Sequence, residues 1–164
     1  MPDLDIIKEI SWNQLGAAID MLQDVVEAAP DDLWGNDLEA GSFWQTAFHT
    51  IFWLDFYSSE TRAAYSPPAP IGLEELTYGS KPPRVYSKVE LLAFLDHARA
   101  NAHESIMRLT AETALEPSDT RKGMPRLELA FYTMRHTQHH TGQLVRMLRN
   151  SAGVGSKWVG RVRG

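Results

Sequence analysis

Three of the six histidines of this chain fall within five residues, in the segment "RHTQHH" that ends at His140. Neutral imidazole is a common ligand of transition metals, so the cluster indicates either a metal site or a polar helix surface. On an α-helix each residue advances about 100°, which places His140 about 40° from His136 and His139 about 60° away on the other side. His136 and His140 can therefore share one metal ion, whereas His139 turns towards the charged side of the helix.

The segment "HTQHH" keeps the histidine spacing of the zinc-peptidase motif, but the glutamate that acts as general base in that motif is missing. A zinc-peptidase reading is therefore rejected. Gln143 and Tyr132 share the helix face of the two histidines. Gln143 is expected to orient a ligand or a water, with a plain surface or core amide as the alternative. Tyr132 is expected to line the pocket or to pack in the core. His139 is expected to lie outside the site or, at most, to contact one of the metal-binding histidines.

His49 is a third candidate ligand, because it lies in the middle of an apolar segment between Phe48 and Trp53. A single buried histidine more often forms hydrogen bonds in the core than binds a metal. Three neutral imidazoles in a core are costly unless their nitrogens are satisfied, and one divalent metal would satisfy them together. Three histidines with one open position are typical of a catalytic metal site. The spacing alone supports the metal site and the hydrogen-bonded core equally.

Four helices are needed to position these residues. The first runs from Leu4 or Trp12 to Ala28, the second from Ser42 to about Ser59, the third from Ser87 to a point before Pro117, and the fourth from about Pro125 to the segment "RNSAG". Capping-box patterns occur at "SWNQ", "SFWQ" and "SKVE". About 25 residues rich in proline separate the second and third helices, which is long for a connection within a domain. The pattern predicts an all-α four-helix bundle whose long crossover joins parallel second and third helices and forms a candidate lid.

The chain has 164 residues and no cysteine, which predicts one domain over residues 1–164 and excludes disulfides and thiolate metal sites. The sequence has no signal-peptide pattern and no apolar run of membrane-spanning length, so a cytoplasmic location is expected. Residues 1–120 carry 20 acidic and 7 basic side chains, whereas residues 121–164 carry 1 acidic and 9 basic. We interpret this asymmetry as a basic final helix packed on acidic ones, followed by a flexible basic tail at 155–164. Nucleic-acid binding is not expected, because no recognition motif is present.

Two segments, "FWQTAFHTIFWLDFY" and "RHTQHHTGQLVRMLR", resemble the DinB-like (DinB/YfiT) family of metalloenzymes, and the likeness extends from about residue 10 to 150. The resemblance implies a bundle with parallel second and third helices. It implies a metal site at His49, His136 and His140 that holds Zn²⁺ or Ni²⁺. It also implies a homodimer.

The better-understood relatives are thiol-dependent transferases, isomerases or hydrolases that use low-molecular-weight thiols. The resemblance therefore implies a metal-dependent enzyme with a small-molecule substrate that it does not identify. The alternative is a non-catalytic, dimeric metal-binding or interaction module. No general base is assigned, since Asp55 and Glu104 would serve only if they turned inward. Extra apolar residues on the fourth helix suit a dimer interface; they are Leu127, Met134, Val145 and Leu148.

Overall fold

A computed structural model of the chain describes residues 3–35, 42–77 and 82–164. It contains five α-helices and two short 3₁₀ turns, and the described residues include no β-strand. The helices are α1 (Leu4–Ala28), α2 (Asp31–Trp34), α3 (Phe43–Ser58), α4 (Lys88–Met107) and α5 (Arg126–Ala152), and the turns are Glu74–Leu76 and Thr113–Leu115. The predicted all-α fold is confirmed, and α1, α3, α4 and α5 are the four predicted long helices.

The four long helices share one hydrophobic core. Helix α1 packs on α4 and α5, and α3 packs on the same two helices. Most of α3 is buried, because its aromatic and aliphatic residues lie on nearly every side of the helix; the fully buried ones include Phe43, Phe48, Ile51, Phe52 and Phe56. A helix of this kind places any polar residue it carries, such as His49, beside the core.

Helices α3 and α4 run in the same direction. Near their first residues, the ring of Trp44 lies 6.2 Å from that of Tyr86. Beyond their last residues, Arg108 forms an ion pair of 2.9 Å with Glu60. Neighbouring parallel helices require a chain segment that returns along their length, and residues 59–87 provide it. Residues 78–81 of this crossover lie outside the described residues, as do residues 36–41 before α3.

The helices start at predicted positions, but the capping-box hydrogen bonds form at one of the three predicted places. Asp3 caps α1 by accepting from the Asp5 N–H, so the helix begins at Leu4, and Ser11 donates to the Ile7 carbonyl from within it. Ser42 precedes α3 but forms no side-chain cap hydrogen bond. The predicted capping box of Ser87 and Glu90 is confirmed at α4. Helix α4 ends at Met107, before Pro117 as predicted, because the chain turns at Arg108 into a loop held by Thr110 and Thr113.

The C-terminal segment 155–164, predicted to be a flexible tail, lies along α1 in the structure. The Val162 N–H donates to the Asn13 carbonyl at 3.0 Å. The Arg163 N–H donates to Asp20 at 2.7 Å, and the Arg163 guanidinium forms two hydrogen bonds to Asp24. These pairs join the basic end of the chain to acidic positions of α1, which gives the charge asymmetry of the sequence a structural role.

The apolar residues from which a dimer interface was predicted are largely used within the chain. Leu148 is completely buried, and Met134 and Val145 are partly buried against the core. The homodimer therefore stays a prediction. No helix in the described part of the chain combines the length and apolar composition that crossing a bilayer requires.

Candidate metal centre

His49 on α3 meets His136 and His140 on α5 where these two helices pack. The imidazole centroids lie 5.4 Å apart for His49 and His136, 4.7 Å for His49 and His140, and 4.5 Å for His136 and His140. One ligand nitrogen from each ring lies within 4.8 Å of the other two. The three side chains, which we call the His tripod, are half-buried. The structure thus brings together the three residues that the sequence analysis selected.

Hydrogen bonds orient two of the three rings. His49 Nδ1 lies 2.7 Å from Glu75 Oε2, and His140 Nδ1 lies 2.7 Å from Gln143 Oε1. Carboxylate and amide oxygens only accept, so Nδ1 donates in both rings and the lone pair of each Nε2 remains available. Outer hydrogen bonds of this kind are typical of metal-binding histidines.

The ring of His136 is not oriented by a hydrogen bond of this kind in the described part of the chain. Its Nδ1 atom is buried and has no hydrogen-bond partner among the described residues. Buried polar atoms in native proteins normally have a partner, so an orphaned imidazole nitrogen beside two oriented imidazoles fits a site completed by a bound cation. Three neutral nitrogen ligands suit Zn²⁺ and Ni²⁺ equally.

The electrostatic surroundings keep His136 and His140 neutral. Burial, together with the neighbouring imidazoles His140 and His49, lowers the pKa of His136 to about 3. Burial also lowers the pKa of His140, although the hydrogen bond to Gln143 opposes this shift. Because a metal binds only the deprotonated nitrogen, both rings are in their ligand form at neutral pH.

Glu75 in the crossover is a site residue that the sequence analysis did not identify. Its Oε2 atom accepts from His49 and also from Trp53 Nε1 at 2.9 Å. Burial raises the pKa of this carboxyl, but the hydrogen bonds from His49 and Trp53 outweigh it and hold the pKa below its usual range. The only sequence signal was the predicted lid, since the path of a long loop cannot be read from periodicity. Glu75 therefore joins the crossover to the His tripod.

Two tyrosines, Tyr57 on α3 and Tyr132 one turn before His136 on α5, form a wall of the site. The rings of Tyr57 and Tyr132 lie 6.1 Å and 6.2 Å from that of His136 and 5.5 Å from each other. Burial raises the pKa of Tyr57 to about 12, helped by Tyr132 and opposed by Arg121. The Tyr57 phenol is therefore a neutral hydrogen-bond donor at physiological pH. The ring of Tyr132 lies beside that of His136. Tyr57 was not identified from the sequence.

A cavity of about 440 Å³ adjoins this wall where α5 begins, and Tyr57 forms part of its lining. Buried apolar side chains of α1, α4 and α5 form its floor, and hydroxyl and charged groups lie around it; the apolar ones include Leu15, Ile106 and Leu129. Its volume is within the range of small-molecule sites.

The remaining candidates lie outside the tripod. Gln143 is exposed and links His140 to His139, since its amide nitrogen lies 3.3 Å from His139 Nε2. His139 is exposed and is absent from the group of ligand atoms. Asp55 is buried, and its Oδ1 accepts from Asn101 at 2.8 Å. It lies six residues after His49, so it projects from a different side of α3. Asp55 contacts Asn101 on α4, the exposed Glu104 pairs with Arg108, and neither belongs to the group of ligand atoms at the tripod.

Comparison with known proteins supports the same family as the sequence motifs. The family model of the DinB superfamily matches residues 14–144, a range that contains all three histidines of the tripod. No curated protein and no solved structure gives a significant match. The match covers most of the chain, and the family resemblance found in the sequence is confirmed. The chain belongs to the DinB superfamily.

Proposed function

We propose that this protein is a metal-dependent enzyme whose divalent cation, Zn²⁺ or Ni²⁺, is held by His49, His136 and His140. The observation that carries the proposal is the convergence of three imidazole nitrogens within 4.8 Å from two separate helices. The hydrogen bonds of Glu75 and Gln143 support it, because they present Nε2 of His49 and His140 for coordination. Membership of the DinB superfamily is consistent with this site.

A cation bound by three histidines would act as a Lewis acid and lower the pKa of a water or thiol at its open position. The protein's own groups have separate tasks. Glu75 holds His49 in orientation, and the rings of Trp53, Tyr57 and Tyr132 restrict water around the tripod. The Tyr57 and Tyr132 hydroxyls can donate hydrogen bonds to a bound molecule. The adjoining cavity supports a small-molecule substrate.

The finer proposal is a thiol-dependent transfer, isomerisation or hydrolysis, which rests on the family resemblance. A non-catalytic metal-binding or interaction module would contain the same tripod but would not catalyse a reaction. A screen of thiol-transfer reactions separates the two: turnover that rises and falls with metal content supports the enzyme. Stoichiometric metal with no turnover across the screen supports the module.

Metal analysis of protein purified without a polyhistidine tag tests the site itself. We expect close to one Zn²⁺ or Ni²⁺ per chain, and loss of that metal in His49→Ala and His136→Ala. His139→Ala is the matched control, because His139 lies on the same helix but outside the tripod, and it should keep the metal. A wild-type protein that takes up neither metal after refolding in its presence would refute the proposal.

A further inference from the structure

Arg121 is a cation at the edge of the His tripod that the proposed chemistry does not yet use. Its guanidinium carbon lies 4.3 Å from the ring centroid of Tyr132 and 6.0 Å from that of Tyr57. The Tyr132 ring in turn lies 6.2 Å from that of His136. The ring of Tyr132 thus lies between the guanidinium of Arg121 and the imidazole of His136.

An ordered loop places Arg121 at this position. Pro117 and Pro125 form an antiparallel bridge, and the Ser118 N–H donates to the Met124 carbonyl at 2.8 Å. The Met124 N–H donates to the Arg121 carbonyl at 3.2 Å and closes a tight turn. Gly123 provides the positive φ of 81° that this turn requires. Arg121 thus projects from a fixed turn rather than from a free chain end.

The charge of Arg121 has no carboxylate partner among the described residues. Glu75, whose carboxylate contacts the tripod at His49, already accepts hydrogen bonds from His49 and Trp53. Arg121 is also exposed, so a dissolved molecule can reach it. A guanidinium that is stacked on one tyrosine, close to a second and without a counter-ion in the described part of the chain is suited to pair with a carboxylate.

We propose that Arg121, with the hydroxyls of Tyr57 and Tyr132, forms an anion subsite for a carboxylate-bearing substrate. The substrate's carboxylate would pair with Arg121, and its reacting end would extend to the His tripod. This inference rests on the proposed metal function and specifies the substrate class. Arg121 acts here as a specificity-determining residue, because it contacts the substrate away from the reacting atoms.

Ligand binding to Co²⁺-loaded protein tests the subsite without requiring a known reaction. Thiolate binding to Co²⁺ produces a charge-transfer absorption, so thiols report their own affinity. The probes are 3-mercaptopropionate and 6-mercaptohexanoate, each compared with its neutral carboxamide. We expect the carboxylate of at least one chain length to bind roughly tenfold more tightly than its amide. Arg121→Gln should abolish that preference and leave amide affinity unchanged.

Lys122→Gln is the matched control, since it removes the same charge from the adjacent exposed position and should keep the preference. Equal affinities for acid and amide in the wild type, or the same preference in Arg121→Gln, would overturn the anion subsite alone. A protein that shows no Co²⁺ absorption would overturn the metal proposal and this inference together. The two failures are therefore distinguishable in one titration.

Discussion

The three histidines that open the sequence analysis have different environments and different tasks. His136 has a lowered pKa and a buried Nδ1 that has no hydrogen-bond partner in the described part of the chain. His140 is oriented by Gln143, and His139 is exposed beside them. Residues that are neighbours in sequence thus divide into two members of the tripod and one outside it, as helical spacing predicts.

Glu75 carries a prediction about metal affinity. Glu75→Gln keeps the size of the side chain and an oxygen acceptor but removes the charge that orients and polarises His49. We expect metal affinity to fall by about 10- to 100-fold. Competition with a chromophoric chelator measures this loss. Glu74→Gln, in the same turn, is the control and should bind metal normally. Equal affinities in the two variants would contradict the role of Glu75.

Asp55 carries a prediction about pH. Burial raises its pKa, although hydrogen bonding to Asn101 and the neighbouring His97 and Tyr65 oppose this. The folded state therefore retains a proton that the unfolded chain releases near the ordinary aspartate pKa of 3.8. The resulting contribution to the free energy of unfolding is present below that pKa and is lost as pH rises through the higher folded pKa.

The measurement is urea unfolding of metal-free protein across a pH series, with wild type and Asp55→Asn compared at each pH. The amide cannot titrate, so the variant should gain stability relative to wild type as pH rises through this window. Parallel pH profiles for the two proteins would show that Asp55 does not have a raised pKa in the folded state.

Helix starts show why a local pattern predicts some features of an element and not others. Ser11, Ser42 and Ser87 all stand in capping-box patterns, but only Ser87 forms the reciprocal hydrogen bonds. Ser87→Ala should therefore destabilise the protein by about 1 kcal/mol. Ser42→Ala is the control: its hydroxyl is buried without a partner among the described residues, so its loss should cost less. Thermal or urea unfolding measures both, and equal losses would contradict the assignment.

The crossover between α3 and α4 is the element for which the structure adds most to the sequence prediction. Its length and prolines predicted a long connection between parallel helices, and the described residues follow that path. Its contribution to the site could not be predicted, because the contact of Glu75 with His49 depends on how the loop folds back over α3. The crossover therefore supports the tripod through the contact of Glu75 with His49.

At the scale of the whole molecule, the C-terminal segment closes against α1 at Gly16. A Cβ atom on Gly16 would collide with the side chain of Val162. A Gly→Ala substitution within a helix normally stabilises the folded protein by up to about 1 kcal/mol. Gly142→Ala on α5 should have this effect, because a Cβ at that position meets no other atom. Gly16→Ala should instead lose stability or release the segment.

Limited proteolysis and unfolding together test this difference. In the Gly16→Ala variant we expect faster cleavage after residue 152 than in wild type, whereas Gly142→Ala should be cleaved at the wild-type rate. If both variants are stabilised and cleaved alike, the segment is not packed on α1 in solution. A flexible tail, as predicted from the sequence, would then be the better description.

The sequence by itself determined the helical class, the approximate helix bounds and the inward direction of His136 and His140. These features are local, since hydrophobic periodicity and the 3.6-residue turn act over a few neighbouring residues. The apolar segment around His49 made it the third candidate, and the family motifs identified it as their partner. Only the tertiary structure decided the proximity of His49 to α5, the carboxylate of Glu75, the wall of Tyr57 and the cation of Arg121. Contacts between residues far apart in the chain depend on how elements pack and where loops return, and no local pattern encodes that information.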